Sequence, residues 1–151
     1  TFYPEEEWKL NVEAIAHMGV LAKEKRVQMC VENMPKGFSA FMSDCESFTQ
    51  IYEKLGEDQF KIALDIGHAN TSGTVMAFVE GFRDHIVHIH AHDNQGKLDT
   101  HDEVGNGTVN WPALTKRIRQ SPCRTLVVES TKGVEASLER LRELLQDPKA
   151  Q

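Results

Sequence analysis

Long apolar runs are missing from this 151-residue chain. None approaches the roughly 20 residues that a membrane-spanning helix needs, and no signal-peptide pattern stands in it. No membrane partner is expected. Cysteine is scarce: Cys30, Cys45 and Cys123 are odd in number and widely spaced, with no CxxC pair. That argues against a disulfide framework, and reduced thiols in a cytoplasmic protein are the expectation. Basic excess is absent as well. A formal net charge of -6 leaves no electrostatic footprint for nucleic acid, with a local basic groove as the open alternative. No low-complexity segment or Pro/Gly-rich linker divides residues 1–151, whose length and apolar content suit a single domain. The chain begins at Thr1 rather than Met, and the expectation is that residues ahead of it have been removed.

What the chain does have is repetition. Residues 27–32 (VQMCVE), 60–65 (FKIALD), 86–90 (IVHIH) and 125–129 (TLVVE) are short aliphatic stretches, each ending in a residue able to bind a metal. Side chains alternate between the faces of a strand. One face therefore carries Met29, Val31, Ile62, Leu64, Val87, Ile89, Leu126 and Val128, and the opposite face ends each time in Glu32, Asp65, His90 or Glu129. Such groups are costly to bury unless paired or bound to a metal. Their common phase predicts that the strand ends converge on one site.

Between the strands the pattern turns helical. Trp8, Val12, Ile15, Met18 and Leu21 recur at helical steps over 5–25. A turn-rich loop with Pro35 and Gly37 follows, and Ser43-x-x-Glu46 reads as a capping box for a helix to Leu55, with Phe48, Ile51 and Tyr52 inward. A strand over 60–66 leads to a shorter helix over 75–82. A strand over 86–91 leads to a long polar loop over 92–110. Asn110 caps a helix with Pro112 in its first turn, and a closing helix aligns Val134, Leu138, Leu141 and Leu145. Strand starts roughly 25 to 40 residues apart suit parallel βαβ units. The fold class is α/β, with functional groups at the carboxyl ends of the strands. A closed eight-stranded α/β barrel takes about 250 residues, so the chain is expected to supply the C-terminal half of one.

The loops add Asp65-Ile-Gly-His68, His90-Ala-His92-Asp93-Asn94, Asp99-Thr-His101 and Gly105-Asn-Gly107. Imidazole and carboxylate ligands suit Zn, Mn, Fe or Co. Other residues have plainer readings. His88 shares parity with His90 and is expected to fill the interior one layer down, while His92 is either behind a ligand or exposed. His85 is expected at the surface, Trp111 as a packing residue at a helix start, and Lys97 in solvent. Gly105 and Gly107 give a loop its freedom to turn, but make a weak phosphate cradle, since no strand directly precedes them.

These motifs have a familiar order. Val31-Glu32-Asn33-Met34-Pro35, Leu64-Asp65-Ile66-Gly67-His68-Ala69, His90-x-His92-Asp93-Asn94, Asp99-x-His101 with Gly105-x-Gly107 and Trp111, and Val128-Glu129-Ser130 together resemble the xylose isomerase-like barrel superfamily, from about Val27 to the end. That group holds sugar and sugar-phosphate isomerases and epimerases, inosose dehydratases and endonuclease IV enzymes. The resemblance implies a TIM-type barrel and one divalent metal (Mn, Zn, Mg or Co) between Glu32, Asp65, His90 and Glu129. It also implies His68 at the metal or against substrate, with Asp93 and Asn94 as substrate contacts. Asp99 and His101 match the Asp-x-His pair of endonuclease IV, a pair that also occurs in isomerase-like relatives, and they join the metal candidates.

Two activities stay open on this reading. One is a metal-dependent isomerase or epimerase of a small sugar or sugar phosphate, with Glu32 and Glu129 as acid/base pair. The other is a zinc-dependent endonuclease acting at abasic sites in DNA, whose remaining histidine ligands would come from the other half of the barrel. A third outcome is an inactive half-barrel fragment. The missing half is expected from the parent chain or from a homo-oligomer.

Overall fold

All four aliphatic stretches become strands of one sheet. The computed structural model describes residues 4–38 and 41–146. In it β1 (Cys30–Glu32), β2 (Lys61–Asp65), β3 (Ile86–Ala91) and β4 (Thr125–Val128) run parallel in the order β1-β2-β3-β4. Parallel neighbours require crossovers, and helices supply them. Helix α1 (Pro4–Lys25) precedes β1, and α2 (Cys45–Leu55) joins β1 to β2. Helices α3 (Ile66–Thr71) and α4 (Val75–Gly81) lie between β2 and β3, α5 (Trp111–Ile118) between β3 and β4, and α6 (Val134–Gln146) follows β4.

The apolar face of the sheet is the buried one. Ile62, Leu64 and Ile89 are fully buried among Phe48, Phe60, Phe78, Leu114 and Leu141, with Met29, Val31, Leu126 and Val128 packed against them. Aromatic contacts tie α2 and α4 to this layer: Phe48 meets Phe78 edge-on at 5.4 Å, and Tyr52 stacks on Phe60 at 4.5 Å. No helix among the described residues is long and apolar enough to cross a membrane.

Several details differ from the sequence expectation. Val27 stays outside β1 because Arg26 takes a positive φ of 56° and the Val27 amide donates back to Ala22, while the Met29 carbonyl already accepts from the Lys61 amide of β2. Ile66 belongs to a helix rather than a strand, because the Asp65 side chain accepts from the His68 amide and starts α3 there. Helix α2 is capped by Asp44, which accepts from both the amide and the hydroxyl of Ser47, instead of by Ser43. Of the apolar residues expected inward on α1, only Val12 and Ile15 are buried, while Met18 (48%) and Leu21 (42%) are exposed. The Asn110 cap of α5 is present, accepting from the Ala113 amide at 3.2 Å.

Candidate metal centre

Sheet register does the first part of the assembly. Asp65 at the end of β2 pairs with His90 at the end of β3, and Glu32 closes β1 beside Ala63. Glu129 follows β4 directly, held there by its amide donating to the Ala91 carbonyl. The four side chains meet around one imidazole nitrogen. His90 Nδ1 lies 3.2 Å from Glu32 Oε1, 3.4 Å from Glu129 Oε1 and 3.8 Å from Asp65 Oδ2.

A second layer comes from the loops. Asp99 Oδ2 sits 3.2 Å from His68 Nε2 and 3.2 Å from His101 Nε2. The other nitrogen of each ring is tied to backbone, His68 Nδ1 to the Asn33 carbonyl at 2.8 Å and His101 Nδ1 to the Glu129 carbonyl at 2.9 Å. The layers touch, since His68 Nδ1 is also 3.6 Å from Glu32 Oε1. Among the described residues, potential ligand atoms approach within 4.8 Å of one another in overlapping sets: Glu32, Asp65 and His90; Asp65, His92 and Glu129; His68, His92, Asp99 and His101. The expected metal candidates are thus brought to one end of the sheet, and the loop over 92–110 folds onto it.

Charge is strongly coupled here. Burial works against the Asp65 carboxylate, but the hydrogen bond from His92 and the nearby His92 and His68 rings outweigh it, holding its pKa below the ordinary value. His90 is raised, chiefly by its hydrogen bond to Glu32 against the opposing effect of burial. Burial lowers His92, yet its bond to Asp65 wins and the pKa rises. The donor set fits a divalent cation. Three carboxylates face one imidazole, and Asp99 Oδ1 is buried with no hydrogen-bond partner. Oxygen lone pairs left so are costly unless a cation takes them.

Other expectations need correction. Asp93 and Asn94 are fully buried, with their side chains turned into the loop instead of a cleft. Asp93 accepts from the amides of Asn94, Val109 and Gly105 and from Trp111 Nε1 at 2.7 Å. Asn94 donates to the Gly67 carbonyl and accepts from the Gly96 amide and Asn70. With their polar atoms so occupied, both build the loop. The glycine pair serves the same loop: a Cβ on Gly107 would strike the Asp93 carboxylate, and Gly105 holds a φ of +92°. His85 lies under the Tyr52 ring at 4.7 Å and near Glu57 rather than on the open surface. His88 meets the His90 ring edge-on at 5.0 Å and joins none of the ligand sets.

Asn33 was not singled out from sequence as part of the centre, and His92 had two readings. Asn33 is fully buried and clamps Asp65, donating to its carbonyl at 3.0 Å and accepting from its amide at 2.8 Å. His92, read from sequence as either behind a ligand or exposed, is buried with Nε2 3.1 Å from Asp65 Oδ2. Its parity with His88 and His90 was the available signal.

A family model described as xylose isomerase-like TIM barrel matches residues 2–145. An uncharacterized protein of Methanocaldococcus jannaschii is 30% identical over 113 residues, 73% of this chain and 39% of that protein. Among solved structures, a D-tagatose 3-epimerase-like protein superposes with a TM-score of 0.86 at 28% identity, over 95% of this chain and 56% of that one. A D-psicose 3-epimerase from Clostridium cellulolyticum H10, solved with D-tagatose, shares the fold with a TM-score of 0.77 at 12% identity, over 97% and 59%. The chain spans 32% to 53% of the length of the curated relatives it matches, and its sheet corresponds to about half of a barrel. With nearly every residue inside that match, the chain belongs to the xylose isomerase-like TIM barrel family.

Proposed function

We propose that this chain carries the metal-binding and acid/base part of a sugar or sugar-phosphate isomerase or epimerase that works by proton abstraction next to a carbonyl. One observation carries the reading. Glu32 and Glu129 come from opposite edges of the sheet and reach the same imidazole, His90, at 3.2 and 3.4 Å. Both keep about a third of their side-chain surface open, 32% and 34%, whereas Asp65 has none. The glutamates are therefore the carboxylates a substrate can touch. Asp65 and His90 are holders.

Glu32, Asp65, His90 and Glu129 would hold the divalent cation, with His68, Asp99 and His101 beside them. When bound, the cation supplies Lewis-acid polarisation of the carbonyl and neighbouring hydroxyl of an open-chain sugar. One glutamate then takes the proton from the carbon next to the carbonyl, leaving a planar enediolate. The other returns a proton to carbon, on the opposite face of the same carbon in an epimerisation, or on the former carbonyl carbon in an isomerisation, where the neighbouring hydroxyl proton also passes to the former carbonyl oxygen. Their approach from different strands suits this division. The reading draws further support from the epimerases among the solved relatives, named for D-tagatose, D-psicose and a 3-keto-D-glucoside.

Deuterium exchange tests it. The intact protein loaded with Mn should exchange, in deuterated water, the proton next to the carbonyl of a ketohexose or aldose, followed by NMR. Glu129→Gln, which keeps the shape but cannot act as base, should lower exchange by about 10²–10⁴-fold. Exchange at the wild-type rate in that variant would remove Glu129 from the chemistry. A second reading rests on Asp99 held between His68 and His101: a zinc-dependent, endonuclease IV-like hydrolase of abasic-site DNA. Zinc-dependent cleavage of such DNA, lost in His101→Ala, with no sugar proton exchange would decide for it.

A further inference from the structure

His92 is fully buried and at the centre of the site, yet its ring has no open path to a substrate. Its Nε2 lies 3.0 Å from Asp65 Oδ1 and 3.1 Å from Oδ2, within reach of both oxygens. Its Nδ1 is buried and has no hydrogen-bond partner. The proton on Nε2 is therefore the one this ring puts to use, and it points at the carboxylate. On its other side the ring stacks flat on His101, with centroids 3.7 Å apart and planes 8° from parallel.

Space for this ring is made by an absence. A Cβ on Gly67 would overlap Cε1 and Nδ1 of His92, although Gly67 lies inside α3 with no positive φ to require glycine. Alanine is preferred to glycine in a helix by about 1 kcal/mol. Local helix propensity is thus given up where the imidazole needs room.

We infer that His92 is a positioning residue for the metal centre: seated against Gly67, it fixes the Asp65 carboxylate by a hydrogen bond and sets the plane of His101 by stacking. Asp65 has two other restraints, the His68 amide on Oδ1 at 2.7 Å and the Asn33 clamp on its backbone. Neither of them sets Oδ2, the oxygen facing His90 at 3.8 Å. The His92 proton reaches that oxygen. Groups that orient a metal ligand from behind typically change metal affinity by about 10–100-fold when removed.

The inference rests on the proposed metal site, and the experiment separates the two. Mn and Zn affinities are measured by titration calorimetry on the intact protein, on His92→Phe, which keeps the stacked ring but loses the donor, and on His92→Gln, which restores an N–H near the position of Nε2. Phe should weaken binding by tenfold or more with a cooperative melt retained, and Gln should recover most of the loss. Gly67→Ala should reproduce the Phe defect despite its better helix propensity. Wild-type affinity in the Phe variant overturns the inference; so does equal loss in Phe and Gln, which would make the imidazole itself a ligand. If the wild type takes up no cation, the metal reading fails instead. The positioning contact is then judged by imidazole ¹⁵N NMR: a proton held at the Nε2 of His92 and perturbed in Asp65→Asn sustains it, and its absence overturns it.

Discussion

Asp93 shows what single residues do here beyond the chemistry. A buried carboxylate with no cationic partner should be costly, yet its two oxygens accept four N–H donors from the loop and from Trp111. Asp93→Ala strands those donors, and hydrogen bonds to charged groups are worth about 1.5–3 kcal/mol each at most before relaxation. A stability loss of about 2–4 kcal/mol in urea unfolding is expected; a change below about 0.5 kcal/mol would contradict the hub role. Cys45 is a quieter case. It opens α2, a place that favours a thiolate, but burial and then the adjacent Asp44 push its pKa up from 9.0 to about 11. A folded value above the unfolded one stabilises the fold below the ordinary thiol pKa, and that contribution fades as pH climbs from about 9 toward about 11. Alkylation of Cys45 in the native protein should have its pH midpoint near 11, and a midpoint near 8.5, that of a free thiol, would contradict it. Residues legible in the sequence were those whose placement follows from phase: Glu32, Asp65, His90 and Glu129 lie at or beside their strand ends and meet on one face. For Asp93 and Asn94 the motif gives the place of the side chain and not its direction. Only the fold of the loop turns them inward.

At the scale of elements, strands were easier to read than the helix that completes the site. Alternation marks β2, β3 and β4 within a residue or two, because each has apolar neighbours to cover. Helix α3 has six residues, too few for a 3.6-residue period to show. It exists because Asp65 serves both as the end of a strand and as a cap, with Asn33 holding its backbone from β1. That dependence on a residue 32 positions away cannot be seen in a local window. The cap of α2 was displaced by one residue for a similar reason, since two candidates stand side by side and only the backbone decides which oxygen faces the Ser47 amide. Asp44→Ala should therefore cost about 1 kcal/mol, and Ser43→Ala should lie within about 0.5 kcal/mol of the parent. Thermal melts of the two variants decide it; the reverse order would restore the Ser43 capping box.

For the whole molecule, the sheet's outer edges shape the last expectation. Among the described residues β1 pairs only with β2, and β4 only with β3. Their outer sides present the unpaired amides and carbonyls that invite another strand. Exposed apolar residues include Leu10, Met18, Val20 and Leu21 on α1 and Val134 and Leu138 on α6, besides Val27, Phe38 and Leu98 outside the helices. The face of the sheet away from the helices carries Cys30, Lys61, His88 and Val127, none of them buried. A closed barrel covers both edges and the inner face of the sheet, and the solved relatives are nearly twice as long as the part matched here. We expect the isolated 151-residue chain to recruit what closes the sheet, by pairing with a second copy through β1 and β4 or by requiring the rest of a longer polypeptide. Sedimentation velocity across a concentration series separates the cases. Self-pairing gives a dimer that dissociates on dilution, and Val127→Lys on the exposed face should shift it toward monomer. Dependence on a longer chain gives a weakly cooperative melt that sharpens only when the remaining segment is supplied. A monomer with a sharp, reversible melt at every concentration would mean that four strands stand alone and that the open edges need no cover.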